Sequence, residues 1–141
     1  MSNDQSISQL IDDALGQSRP GVAAICHTVL KYIQVNHQRR LHLTYGLLRR
    51  ETGASTSTEL WEAIAFLTGD RAHVLETHFE FIDEENEYHN LLKSDVAQAR
   101  QEGVFYHPVT GEKVEQFEES ILAYFTPTAY VLERVVRGDE L

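Results

Sequence analysis

This sequence has one cysteine, one methionine and one tryptophan in 141 residues, and only three prolines. A lone cysteine, Cys26, excludes an internal disulfide. Its place in a helical apolar pattern reads as a small buried hydrophobe, not a reactive thiol. No apolar run approaches the roughly 18 to 20 residues that cross a bilayer, so no membrane partner is expected. The opening MSNDQSISQL is polar and acidic, unlike a signal or transit peptide, and a cytoplasmic location is expected. There is no repeat, no low-complexity tract and no Pro- or Gly-rich linker. The prolines and glycines fall between patterned segments. A Gly-rich phosphate loop, a nucleophile elbow and an HExxH pair are all missing. No enzymatic activity, catalytic residue or cofactor is therefore expected.

Basic residues are also scarce: 12 against 22 acidic ones, a net charge of −10. The imbalance is not even. Residues 1–58 hold six basic groups and four acids, whereas residues 59–141 hold six basic groups and eighteen acids. Such a split points to two faces with different partners, set against the plain role of an acidic surface in solubility. The 42% apolar content is enough for one core.

The patterned segments follow a clear order. SISQLIDDALG is a short helix capped by Ser6 or Ser8. In RPGVAAICHTVLKYIQVNHQRR, Pro20 suits a first turn, and Val22, Ile25, Cys26, Val29, Leu30 and Ile33 recur on one helical face. LHL at 41–43 reads as a very short strand. Thr44 caps a helix YGLLRRE that stops at Gly53, and Thr56 with Glu59 forms a capping box for the helix ending at Gly69. Trp61, next to Leu60, is expected in a core or domain interface. In AHVLETHFEFID the period falls to two, with Leu75, Thr77, Phe79 and Phe81 on one face, and YHNLLK returns across the polar turn DEENE. SDVAQARQEG reads as a helix from an Asp or Ser cap. VFYHPVTGEKV reads as a small structural hairpin that includes Tyr106 and His107. VEQFEESILAYF places Val114, Phe117, Ile121, Leu122 and Phe125 on one helical face, and TAYVLERVVRG is a last short helix.

Seven histidines are many for this length. His73, His78 and His89 come nearest to a metal cluster, with Glu76, Glu80 or Asp83 nearby. A zinc or nickel site needs three or four converging ligands, and HVLETH places His73 and His78 on opposite strand faces. No metal site is expected.

Helix, short strand, helix, turn, helix and two-stranded ribbon, with LTYGLLRRETGAS as helix plus turn, is an order that resembles the winged-helix family of DNA-binding domains over roughly residues 20–93. The resemblance implies an α+β fold: three helices and a two-stranded β-ribbon, followed by a C-terminal helical extension. Residues 1–19 would be a short helix and linker, 20–93 the winged-helix-like core, and 94–141 the extension and a candidate dimerisation segment. The third helix of the unit would lie in the major groove. Ser55, Ser57, Thr58, Glu59 and Glu62 would then face duplex DNA, and Glu84, Glu85, Asn86 and Glu87 would form the wing tip.

The functional expectation is a non-enzymatic, DNA-binding transcription regulator that forms a homodimer. Arg39, Arg40, Arg49 and Arg50 would hold phosphates, and Ser55, Ser57, Thr58 and Glu62 would reach base edges. A second reading stands beside it. The expected reading helix carries no Lys or Arg, and a DEENE wing has the wrong sign for phosphates. On that reading the scaffold is an acidic protein-interaction module, an adaptor, inhibitor or DNA mimic, that binds a basic protein partner.

Overall fold

The computed structural model describes residues 5–141. The fold is α+β, with six α-helices and one four-stranded sheet among those residues. In chain order the elements are α1 (Ile7–Leu15), α2 (Pro20–Asn36), β1 (Leu43–Thr44), α3 (Tyr45–Thr52), α4 (Ser57–Thr68), β2 (Leu75–Ile82), β3 (Tyr88–Leu91), α5 (Lys93–Glu102), β4 (Ile121–Pro127) and α6 (Ala129–Val136). The strands lie in the order β1-β4-β2-β3. No helix among the described residues is long and apolar enough to cross a membrane.

The chain divides into two compact units. The first joins the N-terminal part, up to Glu76, to Phe125–Leu141, and the second is Thr77–Tyr124.

In the first unit, α2 packs against α1, α3 and α4. Its apolar face, Val22, Ile25, Cys26, Val29, Leu30 and Ile33, is buried as the three-to-four spacing predicts, with Leu48 of α3 and Leu60, Ile64 and Leu67 of α4 also buried. Side chains fix the helix starts. Ser6 accepts from the Gln9 amide in a reciprocal capping box, Thr44 from Leu47 and Thr56 from Glu59. Gly53 ends α3 in the left-handed region at φ 64°, where any other residue is strained. Thr128 caps α6 and donates its hydroxyl to the His73 carbonyl at 2.7 Å, anchoring that helix behind α4 in the chain.

In the second unit, β2 and β3 pair antiparallel, with Phe79 opposite Leu91 and Phe81 opposite His89. The core is Phe81, Val96, Ala99, Phe105, Phe117 and Ile121, with Phe79, Leu91 and Val114 packed on it. The expected small hairpin is present: Tyr106 bridges Lys113, and the Val114 amide donates to the Phe105 carbonyl.

Two expectations are corrected. VEQFEESILAYF is not one helix. Phe117–Glu119 make a single 3-10 turn and Ile121–Pro127 form β4, so segment 94–141 holds a strand between two helices instead of a helical extension. The apolar positions there fit both periods, and Ile121, Phe125 and Pro127 are buried in an extended strand placed between β1 and β2. Pairing on both sides satisfies backbone groups that a short exposed helix leaves to water. The second correction is Trp61, which is not in the core but 48% exposed.

Candidate functional site

α3, the turn after it and α4 lie within the first unit. Arg39, Arg40, Arg49 and Arg50 are all exposed, as are Ser55 just before α4 and Ser57 and Thr58 in its first turn. Among the described residues, Arg39, Arg40 and Arg49 have no carboxylate in salt-bridge range. Arg50 approaches only its neighbour Glu51, at 3.4 Å, and Arg39 donates to the Asn36 amide oxygen at 3.0 Å. The alternative use for these arginines, pairing with the chain's own carboxylates, is therefore almost unused.

The expected base-reading set is less free. Glu62 is gripped by Arg19 through two guanidinium nitrogens, at 2.9 and 2.5 Å. Ser57 accepts the Tyr45 hydroxyl at 2.8 Å. Tyr45 in turn stacks on Trp61, with ring centroids 4.9 Å apart and planes 25° apart. The outer face of α3 and α4 thus presents an aromatic pair, with Arg49 one turn along α3 from Tyr45. Ser55 lines a small pocket with Gly53 and Glu59, away from that pair in sequence.

Arg39 and Arg50 share a groove of about 690 Å³ whose other walls include Lys31, Tyr32 and Val35. Arg40 and Arg49 are not part of it. The four arginines are therefore close in sequence without forming one surface cluster around the groove.

The second unit holds an unexpected cluster. Asp83 opens the β2–β3 turn and is buried. One of its oxygens, Oδ1, accepts from the backbone amides of Glu85 and Glu87, at 3.0 and 2.9 Å. The other, Oδ2, meets Nε2 of His89 at 2.8 Å and Nε2 of His107 at 3.2 Å. The His89 bond is the first cause holding the Asp83 carboxyl well below the usual range. The Glu87 amide is next, His107 and Glu85 add to it, and together they outweigh burial, which pushes the other way.

Asp83, His89 and His107 are also the one group of possible metal ligands among the described residues, with ligand atoms within 4.8 Å of one another. The hydrogen bonds argue for a different role. His107 Nδ1 accepts from the amides of Val109 and Thr110, at 3.0 and 3.2 Å. Its lone pair is on Nδ1, so Nε2 carries the proton and donates it to Asp83. A metal on Nε2 demands the opposite tautomer, with an Nδ1–H aimed at two other N–H donors, whereas metal-bound imidazoles direct that proton to an acceptor. The cluster is a strut that ties the β2–β3 turn to the 105–114 hairpin.

Beside it is a pocket of about 460 Å³ whose lining includes Asp83, Glu84, Glu85, Glu112 and Glu115, together with Lys113. The second unit as a whole has eleven of the 22 acidic residues and three of the 12 basic ones, a net of −8. Glu84, Glu85, Asn86 and Glu87, the residues expected at a wing tip, are all exposed. His73 and His78, grouped with His89 in the sequence, do not join the cluster; they lie against Tyr130 and Tyr124. Comparison with protein families, with curated proteins and with solved structures finds no match for this chain.

Proposed function

We propose that this chain is a non-enzymatic protein-interaction module that binds a basic protein partner through its acidic second unit. The observation that carries this reading is the exposed carboxylate set: Glu84, Glu85 and Glu87 on the turn, with Glu112 and Glu115 from the neighbouring hairpin, in a unit of net −8. Opposite charge steers encounter and selects partners more than it adds affinity. The Tyr45–Trp61 pair of the first unit supports the broader part of the reading, a protein-interaction module, because Trp, Tyr and Arg side chains are the types that anchor protein interfaces. The test is affinity purification of the full chain beside a Glu84→Gln/Glu85→Gln/Glu87→Gln variant. One stoichiometric basic protein retained by the first and lost by the second is the expected result. Equal retention by both overturns the assignment.

A second reading, a DNA-binding transcription regulator built on a winged-helix-like unit, is favoured by one observation. Arg39, Arg40, Arg49 and Arg50 are exposed within and just before α3, and three of them lack any carboxylate partner among the described residues. It requires steep salt dependence, because phosphate neutralisation releases counterions. Anisotropy of a labelled duplex at about 50 and about 200 mM salt separates the two readings, since such contacts cost orders of magnitude over that range. Unchanged binding on replacing both Arg49 and Arg50 by Ala removes those residues from the contact set.

A further inference from the structure

The groove between α2 and the last turn of α3 combines two of the arginines of the DNA reading with apolar and cationic side chains of α2 that neither reading uses. His27, Lys31 and Val35 follow one another at four-residue steps along α2, and Thr28 and Tyr32 form the adjacent row. Arg39 closes one end, while Arg50 and Glu51 of α3 make the facing wall. Three cations thus face one carboxylate. Lys31 has no ion-pair partner among the described residues, and Glu51 is only loosely held by Arg50. His27 is already committed, with its Nε2 at 2.7 Å from Asp12 and its Nδ1 at 3.2 Å from Ser8. Between the cations sits Val35, 69% exposed, beside the half-buried ring of Tyr32.

We infer that this groove is a docking site for an acidic amphipathic peptide segment of a protein partner. Charge complementarity sets the sign of the occupant, and the exposed apolar floor sets its second property. A phosphate backbone satisfies Lys31, Arg39 and Arg50 but leaves Val35 and Tyr32 facing a charged, hydrated strand. A peptide with carboxylates flanking a leucine-like side chain satisfies both. The run from His27 to Val35 covers about 12 Å at the usual rise per residue, the length of two turns of a helical ligand. Helical ligands in grooves are read through apolar anchors at three- and four-residue steps. The acidic side chains meet cations at the rim, where they govern association rate and salt sensitivity. The inference stands on the first unit alone, so the basic-partner reading of the second unit can fail without it.

The experiment uses the full chain and three fluorescein-labelled probes. The first is a peptide with leucines at every third or fourth position among glutamates. The second is the same peptide with glutamine for glutamate, and the third is a short duplex DNA. The acidic peptide is expected to bind saturably and the glutamine peptide at least tenfold more weakly. Lys31→Glu/Arg50→Glu should weaken the acidic peptide at least tenfold, and Val35→Ser several-fold. The Glu84→Gln/Glu85→Gln/Glu87→Gln chain should bind it as before, which separates this site from the acidic unit. Should the charge-reversed chain melt early, Lys31→Gln/Arg50→Gln carries the same comparison with an expected loss of several-fold. Three results overturn the proposal: no acidic-peptide binding, binding indifferent to these substitutions, or duplex DNA as the only probe that the charge reversal releases.

Discussion

Arg19 holds both carboxylate oxygens of Glu62, joining the residue before α2 to the middle of α4. The two side chains are 46% and 39% exposed. Solvent therefore screens the pair, and a double-mutant cycle of Arg19→Ala and Glu62→Ala should give a coupling of about 0.5 to 1 kcal/mol. The coupling should fade in about 1 M salt, where the Debye length falls to about 3 Å. Urea denaturation of the four chains measures it. A coupling near zero at low salt means that the two residues are independently solvated, and Glu62 is then available for other work.

Asp83 supplies the clearest pH dependence. Its carboxyl is held below the usual range in the folded chain. A group whose folded pKa is depressed stabilises above its unfolded value and loses that contribution as pH falls toward the folded one. With an unfolded value of about 3.9, the contribution is complete near neutrality and declines as pH falls below about 4. Asp83→Asn should be less stable than the parent at pH 7, and the gap should narrow below about pH 4. Denaturant midpoints at several pH values decide this. A constant gap from pH 7 to 3 assigns the effect to shape and not to charge.

The same strut predicts a metal result. Because the Val109 and Thr110 amides hold His107 as the Nε2–H tautomer, zinc ions at neutral pH should leave the melting temperature of the full chain unchanged. A rise that grows with zinc concentration, and disappears in both His89→Ala and His107→Ala, would establish a metal centre there.

The sequence made the first unit largely legible because its signals are local. Thr44, Thr56 and Gly53 sit where cap chemistry puts them, and the apolar spacing of α2 corresponds to one buried face. β4 was hidden because Ile121 and Phe125 satisfy a helical step as well as a strand, and its partner strands are far away in sequence. The Asp83 cluster was hidden for the same reason. His89 and His107 are six and 24 residues from Asp83, and only the fold places them on one oxygen. Two local signals were present: an Asp opening a polar turn, which accepts amides two and four residues on, and a His before Pro108 that accepts the next amides. Trp61 was misplaced because its neighbour Leu60 is fully buried, and a stripe assignment cannot separate adjacent positions at the edge of the apolar face.

Cys26 is fully buried in α2, and burial pushes its thiol up to about 12. The thiolate is the reactive form, so a disulfide reagent at pH 8 should modify the native chain far more slowly than the urea-unfolded chain. Absorbance of the released thiol reads both rates. Equal rates would place Cys26 at an accessible surface and reopen its use as a reactive group.

Phe105 tests whether the two units share one cooperative transition. Its ring sits edge-on to Phe81, with centroids 5.1 Å apart, and lies 5.9 Å from that of Phe117, inside the core of the second unit. Truncation leaves a cavity among aromatic rings, and Phe105→Ala should cost about 3 to 5 kcal/mol. If the units open separately, that loss appears as faster hydrogen exchange at Val96, Ala99 and Phe117, while Leu60 and Ile64 in the first unit keep their protection. If exchange rises equally at all five amides, the units unfold together. Stability changes measured in either one then report on the whole chain.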